Sequence, residues 1–345
     1  MLVRKENISF IHIWLLSLIF LIFLIILIGG LTRLTGSGLS MVDWNLFMGT
    51  IPPLSEGAWI EVFNNYKTYP EYIHVNSSMV LSEFKTIFLW EYVHRMLGRL
   101  IGLVILGGLI FIIFNRQLYK KFVVPAIIMT ILVISQGLLG WYMVKSGLID
   151  IPRVSHFRLA SHLSFALILL QYIVWTYLSI NKTKLHISKL ALACIVWTFG
   201  ICFQIIYGAF TSGLKAGWGY NTYPLMGGEF LPKAAFMFSS FFENLFYNPV
   251  MIQFIHRHFP IFLVVSFCIL GVLIFKYSNS KVVRNCTLWT SGILTVQILL
   301  GIFTLLMIVP IYLASLHQMV GVFLLTSSVM LCFYSLHNLD QTIKN

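Results

Sequence analysis

The pentapeptide Glu91-Tyr92-Val93-His94-Arg95 begins one hydrophobic segment, and a close copy, Gln253-Phe254-Ile255-His256-Arg257, begins another. Both copies place a histidine beside an arginine near the start of a long apolar run. Ionisable side chains are costly inside a membrane, so those found there usually mark a functional site. The copies differ at their first residue, which is a carboxylate in one and an amide in the other.

The composition is that of a polytopic membrane protein. Of 345 residues, 59% are hydrophobic and only 10% are charged, whereas a soluble domain has about 25% charged residues. The formal charge of +12 does not indicate a nucleic-acid partner, because a basic excess in a membrane protein usually sits in cytoplasmic loops. The lipid bilayer is therefore the expected surroundings of an all-α fold.

Eight segments are long and apolar enough to cross a bilayer, which takes about 20 residues. They are residues 9–31, 92–114, 122–144, 157–180, 188–211, 251–275, 286–309 and 311–335. The sequence predicts eight transmembrane helices arranged as two tandem four-helix bundles.

Internal similarity divides the chain into halves, 1–185 and 186–345. Residues 30–49 align with 208–227 at an offset of 178, His94 with His256 at 162, and residues 136–140 with 297–301 at 161. Because each half has an even number of spans, the repeats are expected to be parallel and related by a pseudo-two-fold axis along the membrane normal.

Each half has a long loop after its first span, at about 32–90 and 212–250. In the first loop, Ser55 could cap a short helix whose Trp59 and Phe63 share one face. Such a helix could lie on the membrane surface or cover a pocket. The alternative is an ordinary interfacial belt of aromatic residues.

Two further histidines, His162 and His317, lie in the fourth span of each half. Low-spin haem takes one imidazole on each face, so two pairs of histidines on facing helices are most simply interpreted as axial ligands. The repeat favours His256 over its neighbour His258, and greater depth favours His162 over His156. The sequence alone does not separate either pair of alternatives.

Glu91 lies one helical turn before His94, on the same face. A carboxylate there could accept a proton or hold a water molecule near the haem edge. The alternatives are a supporting contact to His94 or a salt bridge to Arg95. Arginines near these helix ends, Arg95 and Arg257 among them, could pair with haem propionates.

The chain resembles the haem A synthase family over nearly its whole length. The most specific stretches are Gly29-Gly30-Leu31-Thr32-Arg33-Leu34-Thr35-Gly36-Ser37-Gly38-Leu39-Ser40-Met41, Asp43-Trp44, Pro52-Pro53-Leu54-Ser55-Glu56, Tyr69-Pro70-Glu71-Tyr72 and Glu91-Tyr92-Val93-His94-Arg95-Met96-Leu97-Gly98-Arg99. It is most similar to the branch of mitochondria and alphaproteobacteria that lacks paired loop cysteines. None of the five cysteines here falls in a long loop.

The resemblance implies an oxidoreductase that converts a ring methyl group of haem O to the formyl group of haem A, for cytochrome oxidase assembly. By motif, His94 and His162 would frame the substrate haem O iron, with Glu91 in catalysis. His256 and His317 would hold the iron of a permanent haem b. Haem O synthase and cytochrome oxidase assembly factors would be partners. The family commonly has a polar residue where Ile255 stands.

Two other functions fit the bare pattern of spans and histidines. A dihaem b-type cytochrome passing electrons from quinol would need neither a carboxylate nor space for a farnesyl tail. A membrane transporter could use the histidines to relay protons.

The positive-inside rule gives an orientation. The short loops on one side, together with the termini, hold 12 of the 23 lysines and arginines, which places both termini in the cytoplasm. The first apolar run exceeds the roughly 7–15 residues of a signal-peptide core, so we expect a retained span. The N-terminus lacks transit-peptide character, which favours a bacterial plasma membrane over the mitochondrial inner membrane.

Reporter fusions test this orientation. A reporter that is active only in the cytoplasm should be active when fused at residue 1 or at residue 345, because the basic loops are retained on that side. A periplasm-specific reporter at the same positions should be silent. External activity at both ends would invert the topology.

Overall fold

The computed structural model describes residues 5–42, 49–148, 154–181 and 185–337. Two positions of the repeat alignment, Asp43 and Met48, lie outside these residues, as do Trp44 of the family motif and the charged chain ends. The chain forms two compact units, 1–173 and 174–345. The proposed division into functional halves at residue 185 remains a prediction.

The described residues are almost entirely helical, apart from loops and one isolated bridge between Met226 and Glu229. The α-helices are α1 Lys5–Leu34, α2 Glu56–Tyr66, α3 Pro70–His74, α4 Leu81–Phe114, α5 Arg116–Gly147, α6 His156–Leu178, α7 Lys189–Gly213, α8 Phe241–Tyr247, α9 Pro249–Tyr277, α10 Lys281–Leu306 and α11 Ile311–Leu336. Short 3-10 segments occupy Ser179–Asn181, Ala216–Trp218 and Lys233–Phe236.

Eight of these helices, all except α2, α3 and α8, are long and apolar enough to cross a membrane. The prediction of an all-α, eight-span membrane protein is therefore confirmed. The pseudo-two-fold relation between the halves stays a prediction. All five cysteines are free.

In the first unit, α1 and α4 approach each other at a tryptophan and a glycine. The indole nitrogen of Trp14 donates to the carbonyl of Val104 at 2.9 Å. A Cβ added to the buried Gly108 would lie only 2.2–2.5 Å from the Trp14 ring. The absence of a side chain at residue 108 is thus what lets the indole reach a main-chain acceptor on the neighbouring helix.

The second unit uses a related contact between α7 and α9. The Trp197 indole donates to the carbonyl of Leu263 at 3.0 Å, and its ring packs on Phe267 at a centroid distance of 4.4 Å. A buried indole N–H needs an acceptor in a site without water. Each unit supplies that acceptor from the helix that carries the repeated histidine motif.

The long connection of the first unit folds back onto α4. Ser55 caps α2 by accepting from the Ala58 amide at 3.2 Å, as expected. Trp59 packs edge-on against Phe88 at 5.1 Å, and Phe63 lies 5.0 Å from Phe84. We call α2 and α3 together the cap, because they cover the N-terminal part of α4.

The close approach at Gly108 predicts a clear stability effect. Gly108→Ala should lower the free energy of unfolding by about 1–3 kcal/mol, as overpacking of a dense core typically does. Gly107→Ala is the matched control, since a Cβ at the adjacent Gly107 meets nothing within 4 Å. Thermal unfolding of the two purified variants in detergent compares them. Equal melting temperatures would show that the indole moves aside without cost.

Candidate functional site

The four histidines predicted to bind haem iron share one packing arrangement. Each ring rests against a glycine of a neighbouring helix, so close that an added Cβ would lie 2.8–3.0 Å from the ring carbon Cε1. The pairs are Gly29 with His94, Gly140 with His162, Gly208 with His256, and Gly301 with His317. In every pair Cε1 and Nδ1 are nearer the glycine than Nε2 is. The glycines therefore orient all four rings in the same way.

His256 on α9 and His317 on α11 face each other in the second unit. Their ring centres are 6.3 Å apart and the ring planes are nearly perpendicular, at 84°. A nitrogen–metal bond of about 2 Å places an imidazole centre about 3 Å from the metal, so two axial imidazoles have centres about 6 Å apart. The spacing fits a single iron between the rings.

His94 on α4 and His162 on α6 are the matching pair of the first unit. Their rings pack against Gly29 of α1 and Gly140 of α5. The Gln136 amide nitrogen lies 3.3 Å from Nε2 of His162 and donates to its carbonyl at 3.0 Å. Nδ1 of each ring is buried and has no hydrogen-bond partner among the described residues. Both rings keep an unused polar atom in an apolar setting, as metal ligands would before binding.

The two alternative histidines are placed differently. Nδ1 of His258 lies 2.9 Å from the carbonyl of Phe254 in its own helix, and its ring packs against Phe230 and Phe254. His156 is the buried first residue of α6, with its ring 4.2 Å from that of Phe157.

The Glu91 carboxylate is buried, and each of its oxygens accepts two hydrogen bonds. Its Oε1 accepts from Arg95 Nε at 3.0 Å and Nη2 at 2.6 Å. Its Oε2 accepts from the Ser40 hydroxyl at 2.7 Å and the Met41 amide at 2.8 Å. Arg95 also donates to the Met41 carbonyl at 2.8 Å. The salt-bridge alternative is thus present, and together these contacts tie the start of the first loop to α4.

In the second unit, the corresponding contacts are made by a side-chain amide. Gln253 donates to the Gly219 carbonyl at 2.7 Å. Arg257 donates to the carbonyls of Tyr220 at 3.2 Å and Leu225 at 2.9 Å, and also to that of Thr222. The carboxylate of the first unit accepts from a loop amide, whereas the amide of the second unit donates to a loop carbonyl.

These contacts correct the register of the sequence alignment by one residue. Gly29, and not Gly30, has the role of Gly208, and the two are 179 residues apart. The carbonyls of Met41 and Tyr220, which receive the two arginines, are also 179 residues apart. The offset of 178 is therefore wrong around the helix end, because matching glycines in a run of two were paired incorrectly.

The cap contains a buried polar cluster that the sequence did not single out. The Tyr66 hydroxyl donates to Glu71 at 3.3 Å and accepts from the Asn76 amide at 2.8 Å. Tyr66 is fully buried and Glu71 nearly so. Burial, and then the charge of Glu91, raise the pKa of Glu71 from 4.5 to about 8. The Glu71 carboxyl is consequently neutral at pH 7.

Sequence reasoning also missed the glycines and glutamines around the histidines. Glutamine stands four residues before the contact glycine at Gln136, Gln204 and Gln297, and only the helix of Gly29 departs from this with Ile25. The spacing was visible in the alignment of 136–140 with 297–301. Its third occurrence, at 204–208, could have been found by searching for the same spacing.

The fold and the site define a class: a polytopic helical membrane protein with a pair of half-buried histidines in each unit. Among the described residues, no group of three or more histidine, cysteine or acidic side chains could hold a bare metal ion. Paired imidazoles are instead the arrangement that haem iron uses.

Comparison with known proteins gives the family. Residues 12–329 match the COX15-CtaA family of cytochrome oxidase assembly proteins, and the chain belongs to that family. A relative named "Heme A synthase" in Pelagibacter ubique is 42% identical, over 98% of this chain and all of its own. Relatives of the same name in Flavobacterium johnsoniae and Rickettsia felis are 39% and 41% identical, covering 98% and 94% of this chain and 100% and 98% of theirs.

The neutral Glu71 predicts a pH-dependent cap. Because its pKa is higher in the folded cap than in an unfolded chain, its contribution to stability is complete below about pH 4.5 and is lost as the pH rises towards about 8. Limited proteolysis of the cap should therefore be faster at pH 8 than at pH 6.

Glu71→Gln provides the control for this effect. The amide keeps an oxygen for the Tyr66 hydroxyl and cannot ionise, so its proteolysis rate should change little between the two pH values. A parent-like pH dependence in Glu71→Gln would assign the effect to another group, with Tyr66 and Glu91 as the neighbours to examine.

Proposed function

We propose that this chain is a haem A synthase, an oxidoreductase that converts a ring methyl group of haem O to the formyl group of haem A for cytochrome oxidase. The observation that carries the proposal is the pair of half-buried histidines in each unit, each packed against a glycine, in a chain belonging to the cytochrome oxidase assembly family. Full-length relatives with the name "Heme A synthase" support the same activity.

The second unit would hold a permanent haem b between His256 and His317. The 6.3 Å separation of ring centres fits two axial ligands of one iron, and Nδ1 of His317 is buried without a partner among the described residues. A haem bound there would accept and release single electrons. The protein would contribute two fixed imidazoles and an apolar surrounding that excludes water.

His94 and His162 would bind the iron of the substrate haem O in the first unit. Their rings are supported by Gly29 and Gly140 and retain unused ring nitrogens. A carboxylate, Glu91, lies one turn before His94, and this difference from the second unit supports placing the oxidation in the first unit. The amide Gln253 at the corresponding place would supply no base.

Glu91 would have two tasks in this proposal. It holds the loop start through Ser40, Met41 and Arg95, and it would receive a proton during oxidation of the methyl group. Because all its lone pairs face donors in the structure, accepting that proton requires one donor to withdraw. Withdrawal of the Ser40 hydroxyl would free Oε2 and leave the ion pair between Oε1 and Arg95 intact.

The membrane setting follows the distribution of charge. We place both termini in the cytoplasm and both histidine pairs in the outer half of a bacterial plasma membrane, on the basis of the basic short loops. Haem O synthase would deliver the substrate, and cytochrome oxidase assembly factors would receive the product.

Loss of one axial ligand should release haem b. His256→Ala should reduce the haem b content of the purified protein, because an iron with a single protein ligand is held less firmly. Pyridine haemochrome spectra measure the content, and His258→Ala is the neighbouring control that should keep it. An unchanged low-spin spectrum in His256→Ala, with loss in His258→Ala, would reverse the assignment.

Glu91→Gln tests the chemistry of the first unit. We expect haem b to be retained while conversion of haem O falls by about 10²–10⁴-fold, the usual contribution of a general acid–base group. Chromatography of extracted haems gives the ratio of haem O to haem A. Ser40→Ala is the control that removes one donor and keeps the charge. If both variants lose protein and haem b alike, Glu91 only anchors the loop.

A further inference from the structure

The connection between α7 and α9 in the second unit turns large apolar side chains outward. Phe236, Met237, Phe241 and Phe242 are 53–70% exposed, and the rings of the last two are 6.1 Å apart. We call these four side chains the apolar patch. Single exposed hydrophobic residues are ordinary on a protein surface, whereas apolar patches mark sites that contact a partner or a membrane.

The polar groups of the same segment are turned inward. Asn244 is buried, and its side chain donates to the Phe238 carbonyl at 2.7 Å and accepts from the Phe238 amide at 3.1 Å. Asn248, also buried, donates to the Ala234 carbonyl at 2.8 Å and to the Asn244 oxygen at 3.0 Å. The two asparagines thus join α8 to the 3-10 segment before it. Main-chain groups that lie in a membrane need such partners within the protein, because water is scarce there.

The attachment of the patch to α9 places it at the membrane surface. Asn248 follows the last residue of α8 and caps α9, by accepting from the amides of Val250 and Met251 at 2.9 and 3.4 Å. α9 has 29 residues and is therefore about 44 Å long. A bilayer with its headgroups is about 40–45 Å thick. The start of α9, on the side of His256, consequently reaches the headgroup zone, and the patch lies beside it.

The composition of the segment fits lipid better than a protein partner. Residues 234–247 contain five phenylalanines, one tyrosine and a single charged side chain, Glu243. Aromatic side chains are enriched at the membrane interface, where amphipathic segments bury their apolar side about 5–10 Å deep. A protein interface also needs about one hydrogen bond per 100–200 Å², and the inward turn of the asparagines leaves few groups for that purpose.

The long connection of the first unit has the opposite arrangement. Phe63 and Tyr66 of the cap are buried, and each ring lies 5.0 Å from that of Phe84. Glu61 and Asn64, on the other side of α2, are exposed. The aromatic residues of the cap therefore stabilise the protein itself, whereas those of the patch are available to its surroundings.

We propose that the apolar patch is a lipid-binding surface, which inserts into the membrane leaflet nearer His256 and anchors the second loop to the interface. Its partner is the phospholipid of that leaflet, and neither another protein nor a second copy of this chain. Through Asn248, the anchor also fixes the depth at which α9 starts. The inference does not depend on the haem chemistry proposed for the protein.

Photo-crosslinking in native membranes identifies what covers the patch. The photoreactive residue p-benzoylphenylalanine, which resembles phenylalanine in shape, replaces Phe236 or Phe242 in the full-length protein. Membranes of the expressing cells are irradiated before purification, and mass spectrometry of the peptides identifies the adduct. Phe262, an exposed residue within the span α9, is the lipid-facing control. Asn64, on the exposed polar face of α2, is the water-facing control.

We expect a mass increase of one phospholipid at Phe236 and Phe242, as at Phe262, and no such increase at Asn64. Crosslinked dimers from the patch positions would instead show that a second copy covers them, and a covalent complex with a different protein would show a protein partner. Either result, with lipid adducts confined to Phe262, overturns the inference. Unmodified patch positions beside a modified Phe262 overturn it too, because the patch would then face water.

Discussion

The contact between a histidine ring and a glycine on the next helix is the constraint on which the site depends. A Cβ at any of the four glycines would come within about 3 Å of the ring, closer than packed side chains allow. The bare backbone thus lets each imidazole approach a helix closely through the ring edge that carries Cε1. In a membrane, where helices gain little from mutual hydrophobic attraction, such close backbone approaches also hold the bundle together.

Beside His94 and His256, a loop is attached to the histidine-bearing helix by the residue three positions before the histidine and the arginine directly after it. The first unit uses a charged pair, Glu91 with Arg95, and the second uses Gln253 with Arg257 and several main-chain carbonyls. Charge-assisted bonds are stronger than neutral ones. An amide at this position, Gln253, is therefore enough to attach the loop to the helix. The carboxylate Glu91 is found in the unit that we propose carries out the oxidation.

The cap brings a second acidic residue towards Glu91. Burial, and then the charge of Glu91, raise the pKa of Glu71 to about 8. Two nearby carboxyl groups in a poorly solvated place cannot easily both be charged. The aromatic residues of the cap, such as Phe63 and Tyr66, maintain this arrangement by excluding water, so the electrostatics of the site depend on packing contributed by a loop.

The sequence by itself determined the eight spans, the paired histidines and the short helix capped by Ser55, since hydropathy, repetition and helix capping are local properties. It predicted a membrane span from residue 92, and the helix that contains this span, α4, begins eleven residues earlier at Leu81, because hydropathy marks the lipid-facing part of a helix and not its end. Only the tertiary structure decided the 179-residue register, the burial of Glu71, and the packing of each histidine ring against a glycine. Those features depend on atoms brought together from distant parts of the chain, and a one-residue shift leaves no trace in the hydrophobic pattern.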